Sequence, residues 1–295
     1  MPQLGATTVN SPADGAGHDG SASRHFVAEE PATPPLPKHR VAQQLETLAE
    51  GQGLRLLSFN IQVGIKTSRY RQYVTKGWKH VLPHFSRQQN LQRIADVVAG
   101  YDFVALQEVD GGSLRSGFVN QVEYLAAWGG FPHWYAQLNR DLGPLAQHGN
   151  GLLTRVRPLS LEDHKLPGLI PGRGAIVARL PCQGAEILVV LLHLSLGGVS
   201  RQAQLAYVRE LISGEDHAVV MGDMNGHLAR LLSRSPLKHS PLRSAAAPEP
   251  TWPAWSPALA LDHVLVTPGI RVDDHAVLDC HLSDHRPVAV TLTPR

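Results

Sequence analysis

In the stretch "VVMGDMNG", Val219–Gly226, an apolar run typical of a buried strand is followed directly by polar residues. In an extended segment, residues i and i+2 point to the same face. Asp223 and Asn225 therefore present a carboxylate and a carboxamide side by side at the end of a predicted strand. A single pair of this kind is also what an ordinary turn contains, so its meaning depends on the other strand ends.

The same arrangement recurs along the chain, where one apolar run after another meets a polar residue. These residues are Asn60 after "LRLLSF", Glu108 after "FVALQ", His193 after "LVVLL", Asp223 after "AVVMG", Asp262 in "LALDH", and Asp284 with His285 in "HLSDHRPVAV". Taken singly, each Asn or Asp fits a turn and each His fits a structural role. Because six apolar segments each meet a residue with ligand chemistry, we predict that these strand ends converge on one site.

Short strands outnumber helices in the predicted order of elements. Helices are predicted at 88–100, 119–130 and 200–214, with Ser200 as the N-cap of the last. Strands are predicted at 54–61, 101–109, 133–139, 151–155, 174–180, 186–194, 218–225, 261–268 and 287–293. This pattern predicts two mostly antiparallel β-sheets with helices packed outside them, rather than a doubly wound parallel sheet.

The composition excludes several classes of protein. Hydrophobic residues make up 43% and charged residues 18% of the 295, a balance that supports a sizeable core in one large globular domain or in two small ones. A formal net charge of +2 is too small to indicate a nucleic-acid-binding protein by itself. The two cysteines form no Cys-x-x-Cys pair, which argues against a disulfide framework or a thiolate zinc site.

The amino-terminal residues differ in composition from the rest. Residues 1–50 are rich in Pro, Gly and Ala, and we predict a disordered tail with a candidate short helix in "VAQQLETLAE". Residues 51–295 are predicted to form the folded domain. No signal peptide and no transmembrane segment are predicted, so we expect a cytoplasmic protein, with a monomer as the default state.

The polar residues at the strand ends suit a metal-assisted hydrolysis of a phosphate ester. Oxygen ligands without cysteine favour Mg²⁺, with Mn²⁺ as an alternative, and Asn60, Glu108 and Asp284 are the candidate metal ligands. Asp223 is a candidate to orient and deprotonate the attacking water. Asn225 is a candidate to hold the phosphate or the water in line.

The two histidines suit the stabilisation of charge. His193 and His285 are candidates to donate hydrogen bonds to the non-bridging phosphoryl oxygens as negative charge develops. A carboxylate that is hydrogen-bonded to His285 would fix the tautomer of the ring and raise its basicity. Asp262 is the candidate for this carboxylate.

Six motifs in this order carry a family resemblance: "SFN", "LQEV", "LLHLSLG", "GDMNG", "LDHVLV" and "LSDHRPV". From about Leu54 to Leu292 the chain resembles the endonuclease/exonuclease/phosphatase superfamily, which includes deoxyribonucleases, abasic-site endonucleases and neutral sphingomyelinases. The resemblance implies an α/β (α+β) fold, a four-layered sandwich of two mostly antiparallel β-sheets flanked by helices. It also implies that residues 51–295 form the catalytic domain.

The resemblance implies a role for each strand-end residue. It implies that Glu108 is the principal metal carboxylate and that Asn60 coordinates the metal or orients its water. It also implies phosphate contact by His193, positioning of the nucleophile by Asp223 and Asn225, and pairing of Asp262 with His285 of the terminal Asp284-His285 motif. Members of the superfamily differ in which group is the base, so Asp223 and His285 both remain candidates.

Two further residues are candidates for substrate binding. "QHGNGLLTR" and "PGRGAIVAR" resemble adjacent motifs of the superfamily, and Asn150 and Arg173 within them are candidates to reach the phosphate. For Asn150, which lies between two glycines, a turn is the alternative.

The segment that follows Asn60 is basic and aromatic. It contains no acidic residue before Asp96, and its members are Lys66, Arg69, Arg71, Lys76, Lys79, Arg87 and Arg93, interleaved with Tyr70, Tyr73, Trp78 and Phe85. Such a rim suits single-stranded nucleic acid or an anionic lipid head group, and a solvated loop is the alternative.

These observations predict a Mg²⁺-dependent phosphoesterase that hydrolyses a phosphodiester through an activated water. The substrate would be nucleic acid, a lipid or a small-molecule phosphodiester. One alternative is a phosphomonoesterase acting on inositol-like or nucleotide-like phosphates. Another is a non-catalytic binding protein on the same fold, which the loss of a metal-binding or nucleophile-positioning residue would favour, and none of these residues is missing.

Overall fold

The computed structural model describes residues 51–64, 85–116, 118–141, 147–168 and 172–295. Within these ranges lie twelve β-strands: β1 Leu54–Asn60, β2 Phe103–Val109, β3 His133–Asp141, β4 Gln147–Thr154, β5 Ser160–Lys165, β6 Gly174–Cys182, β7 Ala185–His193, β8 Ala218–Asp223, β9 Arg243–Ser244, β10 Asp262–Val266, β11 Ile270–Val277 and β12 Val288–Pro294. The α-helices of the same ranges are α1 Phe85–Val98, α2 Gln121–Gly129, α3 Gly198–Leu211 and α4 Leu228–Ser233.

Two segments with predicted roles lie outside the described residues. They are the tail of residues 1–50 and most of the basic and aromatic rim, from Lys66 to Lys79. The side chains of Phe85 and Arg87 also fall outside, whereas Arg93 on α1 is exposed.

The strands form two sheets of six. Sheet I has the order β11-β12-β1-β2-β4-β3, and sheet II has the order β5-β6-β7-β8-β10-β9. The β1–β2 pair of sheet I and the β7–β8 pair of sheet II are parallel, and the other pairings are antiparallel. The prediction of two mostly antiparallel sheets is therefore confirmed.

Three apolar clusters hold four layers together. Side chains such as Leu56, Ile176 and Val264 fill the space between the two sheets. The outer face of sheet I packs on α1 and α2, and the outer face of sheet II packs on α3 and α4. Because each sheet is covered on both faces, its central strands are apolar throughout, in agreement with the predicted strands.

The helix ends follow local hydrogen bonding. Asn120 caps α2 because its side-chain oxygen accepts hydrogen bonds from the backbone of Val122 and Glu123. The prediction of Ser200 as the N-cap of α3 is wrong, because the helix begins at Gly198 and the extended Gly197 is its cap. No helix in the described ranges combines the length and the apolar character needed to cross a lipid bilayer.

Strand alternation decides which residues face the space between the sheets. On β1, Leu54 and Leu56 pack into the inner cluster, whereas Leu57 and Phe59 pack against the helices. Asn60 therefore shares the inner face with Leu54 and Leu56. The same alternation on other strands turns the residues at one end of both sheets inward, and this end carries the candidate site.

Candidate active site

Four carboxamide side chains lie in register across the inner face of sheet I. Asn60 pairs with Gln107, Gln107 pairs with Asn150, and Asn150 pairs with Gln137, on strands β1, β2, β4 and β3. All four are buried. We refer to Asn60, Gln107, Asn150 and Gln137 as the carboxamide row.

The facing strand ends of sheet II carry ionisable groups. His193 on β7 pairs with Asp223 on β8, and Asp223 pairs with Asp262 on β10. The two sheets meet where the Asn60 Nδ2 donates to the Asp223 Oδ2 at 3.1 Å, and where the Asn150 Nδ2 donates to the Gly174 carbonyl at 2.9 Å. Residues predicted from separate strand ends are thus brought together.

Asp223 is the most heavily bonded carboxylate of the site. Its Oδ1 accepts from the Asn225 backbone N–H at 2.9 Å, and its Oδ2 lies 3.4 Å from the His193 Nε2. Burial raises the pKa of Asp223 to about 7, although the charge of His285 opposes this shift. A carboxylate with such a pKa can both accept and release a proton near neutral pH.

Asp262 and Thr251 orient His285. The His285 Nδ1 lies 2.8 Å from the Asp262 Oδ2, which also accepts from the Thr251 hydroxyl at 2.6 Å. This bond places the ring hydrogen on Nδ1 and turns Nε2 toward Asp223, 3.8 Å away. Burial alone would lower the pKa of His285, but the charges of Asp262 and Asp223 outweigh it and raise the pKa well above the usual range.

Arg173 fixes the tautomer of His193. Its guanidinium nitrogen lies 2.7 Å from the His193 Nδ1. Because guanidinium can only donate, Nδ1 must be the acceptor, and the ring hydrogen resides on Nε2, which faces Asp223. Burial and the adjacent Arg173 charge hold the pKa of His193 well below its usual range, so the ring is neutral.

Glu108 reaches the site through a local break in β2. Strand alternation alone would direct Glu108 toward the helices, because Val104 and Leu106 pack on that side. A bulge interrupts the β2–β4 register here, and Glu108 adopts a left-handed backbone with φ of 56°. Burial raises the pKa of Glu108, as does the neighbouring charge of Asp284, while His285 and Asn60 lower it.

A strained turn after β1 fixes the carboxamide of Asn60. Gln62, Val63 and Gly64 all have left-handed backbones, which are unfavourable for the β-branched Val63. The Gln62 N–H donates to the Asn60 Oδ1 at 3.1 Å, so the amide nitrogen of Asn60 faces Asp223. The turn therefore sets Asn60 as a donor to the central carboxylate.

Two buried side chains that the sequence did not reveal hold this turn. The Gln121 Nε2 donates to the Val63 carbonyl, and its Oε1 accepts from the Asp110 N–H, both at 2.9 Å. Asn90 donates to the carbonyls of Gly64 and Leu282 at 3.1 and 2.7 Å. Gln121 thus links the segments after Asn60 and Glu108, and Asn90 links the turn to the segment before Asp284.

The remaining predicted residues lie as follows. The Asn225 backbone is left-handed, and its side-chain Nδ2 donates to the Leu194 carbonyl at 2.9 Å. Asp284 is buried, and the Trp252 indole nitrogen lies 3.4 Å from its Oδ2. The alternative of a turn for Asn150 is wrong, because Asn150 lies within β4.

Comparison with known proteins shows which family the chain belongs to. The model of the endonuclease/exonuclease/phosphatase family matches residues 57–285. The chain belongs to this family. Members of the endonuclease/exonuclease/phosphatase family are generally hydrolases of phosphoester bonds, and the predicted resemblance is confirmed.

Individual proteins are similar to this chain in sequence or in fold. The chain is 30% identical over 236 residues to the uncharacterised protein YbhP of Escherichia coli K12, covering 70% of this chain and 90% of YbhP. Its fold is similar to that of an endonuclease/exonuclease/phosphatase from Beutenbergia cavernae, with a TM-score of 0.65, 19% identity, and coverage of 82% of this chain and 72% of the other. The human Nocturnin catalytic domain has a TM-score of 0.58 at 16% identity, with 82% and 95% covered.

Members of the endonuclease/exonuclease/phosphatase family typically depend on a divalent metal ion, and the donors of this chain fit one. The carboxylate of Asp284 is close enough to raise the pKa of Glu108, a repulsion that a cation would relieve. Atoms of Asp223, Asp262 and His285 also lie within 4.8 Å of one another. In that second group a hydrogen bond already joins His285 to Asp262, so the first pair offers the better ligands.

The role of Gln121 leads to a testable prediction. Gln121→Met should remove the hydrogen bonds that Gln121 makes to the Val63 carbonyl and the Asp110 N–H, which costs about 2–4 kcal/mol of unfolding free energy. If Gln121 also positions Asn60 and Glu108, the Mg²⁺ concentration that gives half-maximal activity should rise in this variant. Urea unfolding and metal titration of phosphoester hydrolysis measure the two effects.

Thr267→Val is the matched control for Gln121→Met. Thr267 is buried and bonds the Ala218 N–H at the end of β8 that is distant from Asp223. Its substitution should lower stability without changing the metal requirement. An unchanged metal requirement in Gln121→Met would show that Gln121 serves stability alone.

Proposed function

We propose that this protein is a Mg²⁺-dependent phosphodiesterase that uses an activated water as its nucleophile. The observation that supports this most strongly is the arrangement around Asp223. A buried carboxylate with a pKa of about 7 is set between a neutral His193, a cationic His285 and the donor Asn60. This is the environment that a general base needs near neutral pH.

Glu108 and Asp284, with Asn60 beside them, would hold the metal ion. When bound, Mg²⁺ would act as a Lewis acid that offsets negative charge on the phosphoryl group. The left-handed backbone of Glu108 directs its carboxylate away from the helices and toward this position. Trp252 and Ser283 contact the Asp284 carboxylate and restrict its rotation.

Asp223 would take a proton from the attacking water. The Asn225 N–H and the Asn60 amide fix its two oxygens, so the carboxylate has a single orientation toward the nucleophile. The charges of Asp262 and Asp223 raise the pKa of His285 well above its usual range, which favours Asp223 over His285 as the base. The charge of His285 instead stabilises the ionised form of Asp223, since it lowers the pKa that burial raises.

His193 and Arg173 would bind the phosphoryl oxygens. The Arg173 guanidinium fixes the hydrogen of His193 on Nε2, where it can be donated to an oxygen that gains negative charge. A neutral donor is suited to this position because its hydrogen remains in place throughout the reaction. The positive charge of the Arg173 guanidinium favours the same negatively charged oxygens.

The charge balance favours a diester over a monoester. Among the residues that the structure describes, the carboxylates of the site are those of Glu108, Asp223, Asp262 and Asp284, and Arg173 and His285 contribute positive charge. A phosphodiester adds one negative charge, whereas a monoester adds close to two near neutral pH. The substrate class would therefore be a phosphodiester of nucleic acid, lipid or a small molecule.

Hydrolysis of bis(p-nitrophenyl) phosphate tests the proposal. The wild type should release p-nitrophenol with Mg²⁺ and lose this activity with EDTA. Asp223→Ala should lower kcat by about 10²–10⁴-fold, since it removes the base.

Asp216→Ala, which removes an exposed carboxylate before the start of β8, is the matched control and should retain the wild-type rate. Full activity of Asp223→Ala would contradict the mechanism, and preference for p-nitrophenyl phosphate would indicate a monoesterase.

The pH dependence gives an independent prediction. Asp223 acts only when ionised, so kcat/KM should rise with pH until the pKa of Asp223 is passed. The charge of His285 lowers this pKa. His285→Gln should therefore move the rising limb of the profile to higher pH, in addition to lowering the rate.

His281→Gln provides the control for the pH profile. His281 is an exposed imidazole in the same segment as His285, and its substitution should leave the rising limb in place. A rising limb that stays at the same pH in His285→Gln would assign the limb to a group other than Asp223.

A further inference from the structure

The orientation of the Gln137 carboxamide is fixed by groups that can only accept hydrogen bonds. Its Nε2 lies 2.6 Å from the Asp163 Oδ1, 3.0 Å from the Ala175 carbonyl and 3.2 Å from the His164 carbonyl. The Asp163 carboxylate also accepts from the Tyr135 hydroxyl. Because all of these atoms are acceptors, the nitrogen of Gln137 must face them, and its Oε1 faces Asn150.

Asn150 is fixed in turn by Gln137. Its Nδ2 donates to the Gln137 Oε1 and to the Gly174 carbonyl, each at 2.9 Å. Both hydrogens of the amide are therefore in use. The Asn150 Oδ1 is buried and has no hydrogen-bond partner among the residues that the structure describes, and Asn150 is 1% exposed. The Asn150 carboxamide cannot be flipped, because its Oδ1 would then face the Gly174 carbonyl, and both atoms are acceptors.

The bonds of the amide nitrogen indicate the side on which the Asn150 Oδ1 lies. Asn150 lies between Gln107 and Gln137 in the carboxamide row. Since its nitrogen faces Gln137 on β3 and Gly174 on sheet II, the opposite end of the amide faces the β2 side, where Gln107 precedes Glu108. The Gln107 side chain supplies no bond to Asn150, because its contacts are with Ser58 and Ala105 at 3.3–3.5 Å.

The polarity of this oxygen restricts what it can bind. Phosphoryl oxygens are acceptors, so they would be repelled by the Asn150 Oδ1. A buried acceptor without a partner is unfavourable, and a hydroxyl or amino hydrogen would relieve it. Asn150 therefore suits a donor carried by the substrate beside the phosphate.

The order of residues along sheet II indicates which part of the substrate carries this donor. Asp223 on β8 is followed by His193 on β7 and Gly174 on β6. In an in-line displacement the attacking water and the leaving oxygen lie on opposite sides of phosphorus. With the water beside Asp223 and the phosphate beside His193, the leaving alcohol extends toward Gly174 and Asn150.

We propose that Asn150 selects phosphoesters whose leaving alcohol carries a neighbouring hydroxyl, as in glycerol, sugars and other polyols. The inference rests on the proposed hydrolytic function and names the alcohol that it releases. Asn150 is the specificity-determining residue, and Gln137 positions it. A site built to bond a hydroxyl discriminates against the analogue that lacks it, and we expect about a tenfold preference.

Binding of two matched probes tests this assignment. Glyceryl methyl phosphate and propyl methyl phosphate differ only in the two hydroxyls of the alcohol. Their dissociation constants are measured by calorimetry in Mg²⁺, on the full-length Asp223→Ala chain so that neither probe is hydrolysed. The glyceryl probe should bind about tenfold more tightly.

Second-site variants separate recognition from folding. Adding Asn150→Leu should abolish the preference, because the glyceryl probe loses its acceptor. Adding Gln137→Met should reduce the preference, because the Asn150 carboxamide is then free to turn, and this variant leaves Asn150 in place if Asn150→Leu does not fold. Thr154→Val, on the same inner face of β4 but bonded to Val156, is the control that should retain the preference.

Three outcomes would overturn the assignment. They are equal dissociation constants for the two probes, a preference that survives Asn150→Leu, and binding of neither probe. The proposed hydrolysis fails separately, if the wild type shows the binding preference but no metal-dependent turnover of any phosphoester. That result would support Asn150 as a hydroxyl-recognising residue and count against the catalytic role of Asp223.

Discussion

The burial of the Asp223 carboxylate is the constraint on which the rest of the site depends. A carboxylate at the inner end of β8 is costly unless its charge is balanced and its oxygens are bonded. Asn60 supplies a bond from the opposite sheet, the Asn225 N–H supplies a second, and His285 supplies the charge. Asn60 is supported in turn by the Gln62–Gly64 turn, and His285 by the Asp262–Thr251 pair. The network therefore joins both sheets at one end.

Much of this arrangement follows from the sequence, because strand alternation has a period of two. The central strands are apolar on both faces, and their final inward positions are polar, so the convergence of Asn60, His193 and Asp223 could be predicted. The edge strands β5 and β11 could not be predicted, because their residues are mostly half-buried or exposed and form no apolar run. The position of Glu108 depends on a bulge and a left-handed backbone, for which the sequence contains no turn residue.

The roles of the buried carboxamide side chains that support the site could not be predicted from the sequence either. Gln121, Gln137 and Asn90 act through bonds to backbone carbonyls that lie far away along the chain. A glutamine in a strand or at the start of a helix resembles a surface residue until the partner carbonyl is known. Gly222 illustrates the same limit, because only the fold reveals that a Cβ there would lie 1.9 Å from the Leu192 carbonyl.

The central claim is that Asp223 activates a water that attacks phosphorus directly. Hydrolysis of p-nitrophenyl methyl phosphorothioate of one configuration at phosphorus, in ¹⁸O-water with Mg²⁺ present, tests it through the configuration of the methyl phosphorothioate product. The account predicts inversion, because a single in-line displacement by water inverts the configuration at phosphorus. Retention would show two displacements, the first of them by an enzyme group, and would contradict the account.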